Sequence, residues 1–283
     1  MSHPLTSHSL TVDAPGRSPL RITLTVLGAL AVVATYAFLI VSQPADVVNG
    51  PTAASALVAL TGYGLAMVFL FAGILPTLPT TTLALIPVAL VLNIVLGQFV
   101  GTTLVPIYLD SIGTVLVGFL AGPAAGAATG LLSTLVWSFF NPTVLPFAAG
   151  AAAIGALAGL TARMGLVRRF YVLPLAGIVT GFIAALIAAP VAVAVFGGTA
   201  TGATGAVIAV FRAAGDSLAE SVTKGAIISD LSDKLVTFVV AAALAYALPR
   251  RSTQRFAFVR KHRVLAGAKS TARGADGEAA PAA

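Results

Sequence analysis

The sequence contains no cysteine, and only 9% of its 283 residues are charged. The first absence excludes a disulfide framework and any thiolate metal site. The three histidines, His3, His8 and His262, all fall in the terminal tails, which excludes a histidine proton relay or metal site within the apolar body. Acidic residues are scarce there too: between Asp46 and Asp216 the chain has a single acid, Asp110. No Walker A sequence, paired catalytic carboxylates, nucleophile elbow or metal-ligand cluster is present. Nucleotide hydrolysis, covalent catalysis and a bound metal or cofactor are therefore not expected of this chain.

What the chain has in abundance is apolar length. Hydrophobic residues make up 58% of it and the mean hydropathy is +1.00, which fits an integral membrane protein rather than a soluble domain. Several runs reach the ~20 apolar residues that cross ~30 Å of hydrocarbon as helix, and none alternates as a barrel strand does. The expected class is an all-α integral membrane protein. The formal charge of +7 comes largely from basic residues between positions 250 and 263, which reads as topology rather than as a nucleic-acid surface.

Taken in order, residues 1–20 form a polar tail, and 21–82 hold two spans near 22–41 and 54–75. Asp46 and the Asn49-Gly50-Pro51 turn separate those spans. From 83 the pattern changes to a six-helix unit ending near 250, followed by a basic, disordered tail over 251–283. Within that unit the expected helices cover 83–100, 111–122, 123–140, 145–162, 171–196 and 231–248. A polar amphipathic helix is expected over 206–224, carrying Arg212, Asp216, Glu220 and Lys224. Eight crossings place Arg17 and Arg21, Arg163 to Arg169, and Arg250 to Arg263 on one face. The positive-inside rule makes that face, with both termini, cytoplasmic in a bacterial-type plasma membrane. The Asp110 connector, the Asn141-Pro142 turn and the 197–228 segment then converge on the outer side, where loops can enclose a ligand.

Asp110 is the residue to explain, because a charge at bilayer depth costs ~2.5–3.5 kcal/mol or more. Either it caps the helix that begins at Ser111, accepting N–H bonds from Gly113 or Thr114, or it faces a ligand. Around it the polar groups near the outer end are Asn93, Gln98, Tyr108, Ser111, Thr114, Trp137 and Asn141. Together they suit a small planar, polar or partly cationic solute. Each also has a plainer reading: Trp137 and Tyr108 as interfacial anchors, Asn93 as a bond between helices. Asp216, Glu220, Asp230 and Asp233 beside Lys224 and Lys234 read as surface pairs. Small residues recur at Gly118, Gly122, Gly126 and Gly130, and at Ala151, Gly155 and Gly159. Such ridges serve either internal helix packing or the docking of another membrane subunit.

The runs LNIVLGQFVG, VPIYLDSIGT, AGPAAGAATGLLS and NPTVLPFAAGAAAIGALAG resemble the substrate-binding S component of energy-coupling-factor (ECF) transporters, over about residues 83–250. The resemblance implies a six-helix, non-catalytic membrane subunit that captures a vitamin or related micronutrient from outside. It also implies partners: a transmembrane coupling protein and two ATPase subunits, which use the ATP. The connector 101–110 would act as a gate, and the loops around 141–147 and 197–228 would contribute to the pocket. The two helices before 83 lie outside the family's pattern, and its usual Ala-x-x-x-Ala coupling motif is missing from the 83–100 helix. The alternative is a self-sufficient secondary transporter or small channel using Asp110 as a proton- or cation-linked group.

Overall fold

The computed structural model describes residues 18–44, 54–101, 103, 105–199 and 202–265, without the side chains of 202 and 203. The N-terminal tail through 17, Asp46, the Asn49-Gly50-Pro51 turn and the tail from 266 lie outside the described residues. All regular structure among the described residues is helical. In chain order the helices are α1 (Pro19–Ser42), α2 (Ala54–Ile74), α3 (Thr80–Val100), α4 (Ile112–Ala121), α5 (Pro123–Ser138) and α6 (Ala148–Arg163). They continue with α7 (Leu173–Phe196), α8 (Gly202–Ala213), α9 (Leu218–Ala247), α10 (Arg250–Thr253) and α11 (Ala257–His262).

Five segments are long and apolar enough to cross a membrane, as a multi-pass membrane protein requires: Pro19–Ser42, Ala54–Thr77, Thr80–Val100, Pro142–Arg163 and Leu173–Phe196. This is fewer than the eight crossings expected from the sequence, and the reason differs by helix. At 10 and 16 residues, α4 and α5 fall short of the ~20 that a crossing needs, while α9, at 30 residues, carries buried charge. The outer surface is apolar, with Val33, Val88, Val91 and Leu175 each more than half exposed. In lipid such side chains need no cover.

The short helix α4 is the centre of the bundle: every residue from Ile112 to Leu120 is buried. Phe119 meets Phe238 of α9 edge-to-face, with centroids 5.4 Å apart. The turn from α4 to α5 needs no loop. Gly122 takes φ +95°, ψ 179°, a conformation open to glycine alone, and Pro123 starts the next helix where its missing N–H costs nothing. Beyond the turn, glycines let backbones touch. A Cβ on Gly155 would overlap the Gly126 carbonyl, one on Gly130 the Ala151 carbonyl, one on Gly159 Pro123, and one on Gly118 would lie 2.8 Å from the Gly155 oxygen. The glycine rows over 118–130 and 155–159 therefore meet one another inside the chain, between α4, α5 and α6.

Glycines also set the charged part of α9 in place. Gly177 and Gly181 of α7 lie against the backbone of Lys234 and Asp230, so α7 presses on the stretch of α9 that carries the ionisable groups. The α1–α2 pair packs in the same manner, Gly28 against Leu70 and Gly73 against Thr25. It is tied to α7 by Tyr36, whose hydroxyl donates to the Ile187 carbonyl at 3.0 Å.

Two expectations are corrected here. The polar helix and last span were expected to be separate, over 206–224 and 231–248. The structure instead ends α8 at Ala213, turns at Gly215 (φ +100°) and runs one helix from Leu218 to Ala247. The start of α9 is fixed by a capping box in which the Ser217 hydroxyl and the Glu220 backbone and carboxylate bond reciprocally. This uses Glu220 locally, while Lys224 reaches back to Asp216 at 2.6 Å. Residues 249–265 also do not leave the fold. Phe256, Val259, Val264 and Leu265 are buried in the core cluster that contains α4, and the Phe258 ring lies against Gly122.

Candidate functional site

At the end of the bundle where α3 finishes and α4 begins lies a cavity of about 520 Å³, within the range of small-molecule sites. All eight candidate residues from the sequence, Asn93, Gln98, Tyr108, Asp110, Ser111, Thr114, Trp137 and Asn141, line it. The structure adds Ser133, Thr204, Ser229, Asp230 and Lys234, and an apolar wall from Ile154, Ile187 and Val191. Phe147 and Phe196 stack beside it, with ring centroids 5.6 Å apart and an interplanar angle of 11°.

Asn93, 1% exposed, organises the cavity's deep end. Its carboxamide oxygen accepts from the backbone N–H of Gly113 at 2.7 Å and of Thr114 at 3.3 Å. Its amide nitrogen donates to Thr114 Oγ1 at 2.8 Å and to Ser133 Oγ at 3.2 Å. One side chain of α3 thus caps α4 and joins it to α5, and the two backbone donors fix which end of the amide is oxygen. This corrects the expectation for Asp110. It does not cap α4; its carboxylate accepts from the Ser111 hydroxyl at 2.8 Å and lies 3.5 Å from the Lys234 ammonium.

Lys234 is 3% exposed and Asp233 fully buried, so they are not the surface pair read from the sequence. The Lys234 ammonium bonds directly to Asp233 Oδ2. The other oxygen of Asp233 accepts from the backbone N–H groups of Tyr108 at 2.9 Å and Leu109 at 2.7 Å. A carboxylate with two backbone donors and an ammonium has its charge well compensated. The connector is tied at further points: Ser229 Oγ donates to the Pro106 carbonyl at 3.0 Å, and the Tyr108 hydroxyl lies 2.9 Å from Thr204 Oγ1 of α8. Burial pushes the Tyr108 phenol up from its ordinary value, with the Thr204 hydrogen bond opposing. The phenol is thus a neutral hydrogen-bonding group at the cavity edge.

The remaining candidates divide between wall and rim. Trp137 is 8% exposed, a buried wall rather than an interfacial anchor, because glycine at position 97 lets the indole lie against α3. Its Nε1 donates to Gln98 Oε1 at 3.4 Å, and Gln98 is otherwise exposed. Asn141 spends its side-chain oxygen on the following turn, accepting from the Thr143 N–H at 3.3 Å. Sequence reasoning passed over Asp230, Asp233 and Lys234 because acids and lysines four apart on a helix ordinarily face water. The signal available was Gly177 and Gly181, which match the α9 segment in antiparallel register.

No protein family, curated protein or solved structure matches this chain.

Proposed function

We propose that this chain is the substrate-binding membrane subunit of an ECF-type ATP-driven importer. The observation that carries the reading is the cavity of about 520 Å³, polar at its deep end and walled by apolar and aromatic side chains. Residues 105–110 border it and are held by α8 and α9 through side-chain bonds. In this reading α3 to α7 and α9 form the six-helix S-component unit, and α1–α2 are an added pair. Both termini lie on the cytoplasmic face of a bacterial plasma membrane. The connector 101–110 opens to admit a vitamin or related micronutrient. A transmembrane coupling protein and two ATPases supply the power stroke, since the sequence carries no nucleotide-binding motif.

The test is uptake by proteoliposomes containing the purified chain, alone and with coupling and ATPase subunits from the same cells. Small molecules extracted from the purified chain serve as substrates. The reading predicts binding by the chain alone and ATP-dependent uptake only with the partners. A second reading is supported by the Asp110–Lys234–Asp233 ion network, since charged networks at membrane depth also mark proton- and cation-coupled carriers. Uptake driven by an ion gradient with no ATPase present would establish that secondary transporter in place of the importer subunit.

A further inference from the structure

Of the charged groups at or next to the cavity, Asp110, Asp233 and Lys234 are already engaged. Asp233 uses one oxygen on the Tyr108 and Leu109 amides and the other on Lys234. Asp110 takes the Ser111 hydroxyl and the far side of the same ammonium. Asp230 differs. It lines the cavity one helical turn before Lys234. Among the described residues, no hydrogen bond or salt bridge reaches its carboxylate. Lys234 cannot serve it fully, because that ammonium is shared between two other carboxylates. Two carboxylates thus hold the one ammonium, and a third, Asp230, is left unmatched at the cavity wall.

A partly buried carboxylate without a counter-charge is unfavourable while ionised, and it either takes up a proton or is matched by a cation or donor-rich group. An anionic ligand would add a like charge, and a purely apolar one would strip water from Asp230 and give nothing back. The walls narrow the choice further. Trp137 presents a buried indole, and the Ile187 and Val191 side is apolar, a combination that holds flat rings and favours positive charge near an aromatic face. We propose that the cavity takes a small planar organic cation, with Asp230 as its anionic contact. The proposal rests on the binding-subunit reading above and specifies its substrate class.

The test uses three probes built on one pyridine ring: the N-methylpyridinium form of nicotinamide (cation), nicotinamide (neutral) and nicotinate (anion). Each is titrated to millimolar concentration against the purified full chain in detergent, and thermal stability is read. The cation is expected to raise the melting temperature, while the neutral and anionic probes do not. Asp230→Asn needs roughly ten- to a hundredfold more cation for the same shift, and Asp230→Glu restores much of the response. Asp216→Asn, outside the cavity, responds like the parent. The probe-free melting temperature of each variant separates loss of binding from loss of folding. Equal stabilisation by the neutral or anionic probe, a full response in Asp230→Asn, or no response to the cation overturns the proposal. Mass spectrometry of molecules extracted from the parent chain distinguishes the deeper failure. A bound neutral or anionic molecule removes only the cation class, whereas no bound molecule and no response to any probe removes the binding-subunit reading as well.

Discussion

Asp233 holds Leu109 in a left-handed conformation: its Oδ1 accepts the Leu109 N–H at 2.7 Å while that leucine sits at φ +54°. A non-glycine residue there carries strain of roughly 1–2 kcal/mol, and the bond from a fully buried carboxylate keeps it in place. The shape of the connector at the cavity edge is therefore set from α9, 124 residues away in sequence.

From this follows the behaviour of Asp233 variants. Asp233→Ala frees both connector amides and leaves Lys234 with only the distant Asp110, so a loss of about 3–5 kcal/mol is expected. Hydrogen exchange followed by mass spectrometry is expected to show residues 105–110 exchanging faster before the core does. Asp233→Asn keeps an acceptor but not the charge and falls between. Unchanged exchange in the connector of the alanine variant would contradict the clamp.

Asn93 and Asp110 separate capping from charge. Asn93→Leu leaves the Gly113 and Thr114 N–H groups without an acceptor, at about 1–3 kcal/mol for each buried group. By contrast, the Asp110 side chain is 36% exposed and caps nothing. Asp110→Asn and Asp110→Ala are expected to lower stability equally, by no more than about 1 kcal/mol. Thermal unfolding of the three variants in one detergent checks the order. An alanine variant clearly weaker than the asparagine variant would return the cap to Asp110.

Gly155→Ala is expected to be disproportionately harmful for one methyl group. Its Cβ points at the Gly126 carbonyl, so α5 and α6 must separate, at about 1–3 kcal/mol. Gly64→Ala, whose Cβ meets nothing within 4 Å, is the matched control and is expected to stabilise slightly. Melting temperatures that fall equally in both would remove close backbone contact as the cause.

The segment after Leu248 supplies a fourth expectation. Truncation before Arg250 removes Phe256, Val259, Val264 and Leu265 from the core cluster around α4. Burying one such side chain contributes ~1.5–3 kcal/mol, so the shortened chain should lose several kcal/mol. Truncation at 266 leaves these residues in place and is expected to melt with the parent. Equal melting of the two truncations would show the segment to be dispensable.

Composition alone determined that the chain is helical and membrane-embedded, because hydropathy and run length answer to the bilayer before any helix meets another. Local chemistry placed most helix ends: Pro123 after Gly122, the break at Asn141-Pro142, the arginines after Ala162. Polar residues in an apolar sequence also marked the cavity, and Asn93, Tyr108, Asp110, Ser111, Thr114 and Trp137 do converge on it. Only the tertiary structure decided what each of them does. Asn93 rather than Asp110 caps α4 because the partner helix α3 brings an amide to the free N–H groups, and no local rule anticipates a cap from another helix. Asp230, Asp233 and Lys234 read as a solvated face because their spacing is that of surface pairs. Contact with Gly177 and Gly181 of α7 and with the connector draws them inside, and that packing makes ordinary charges part of a candidate site.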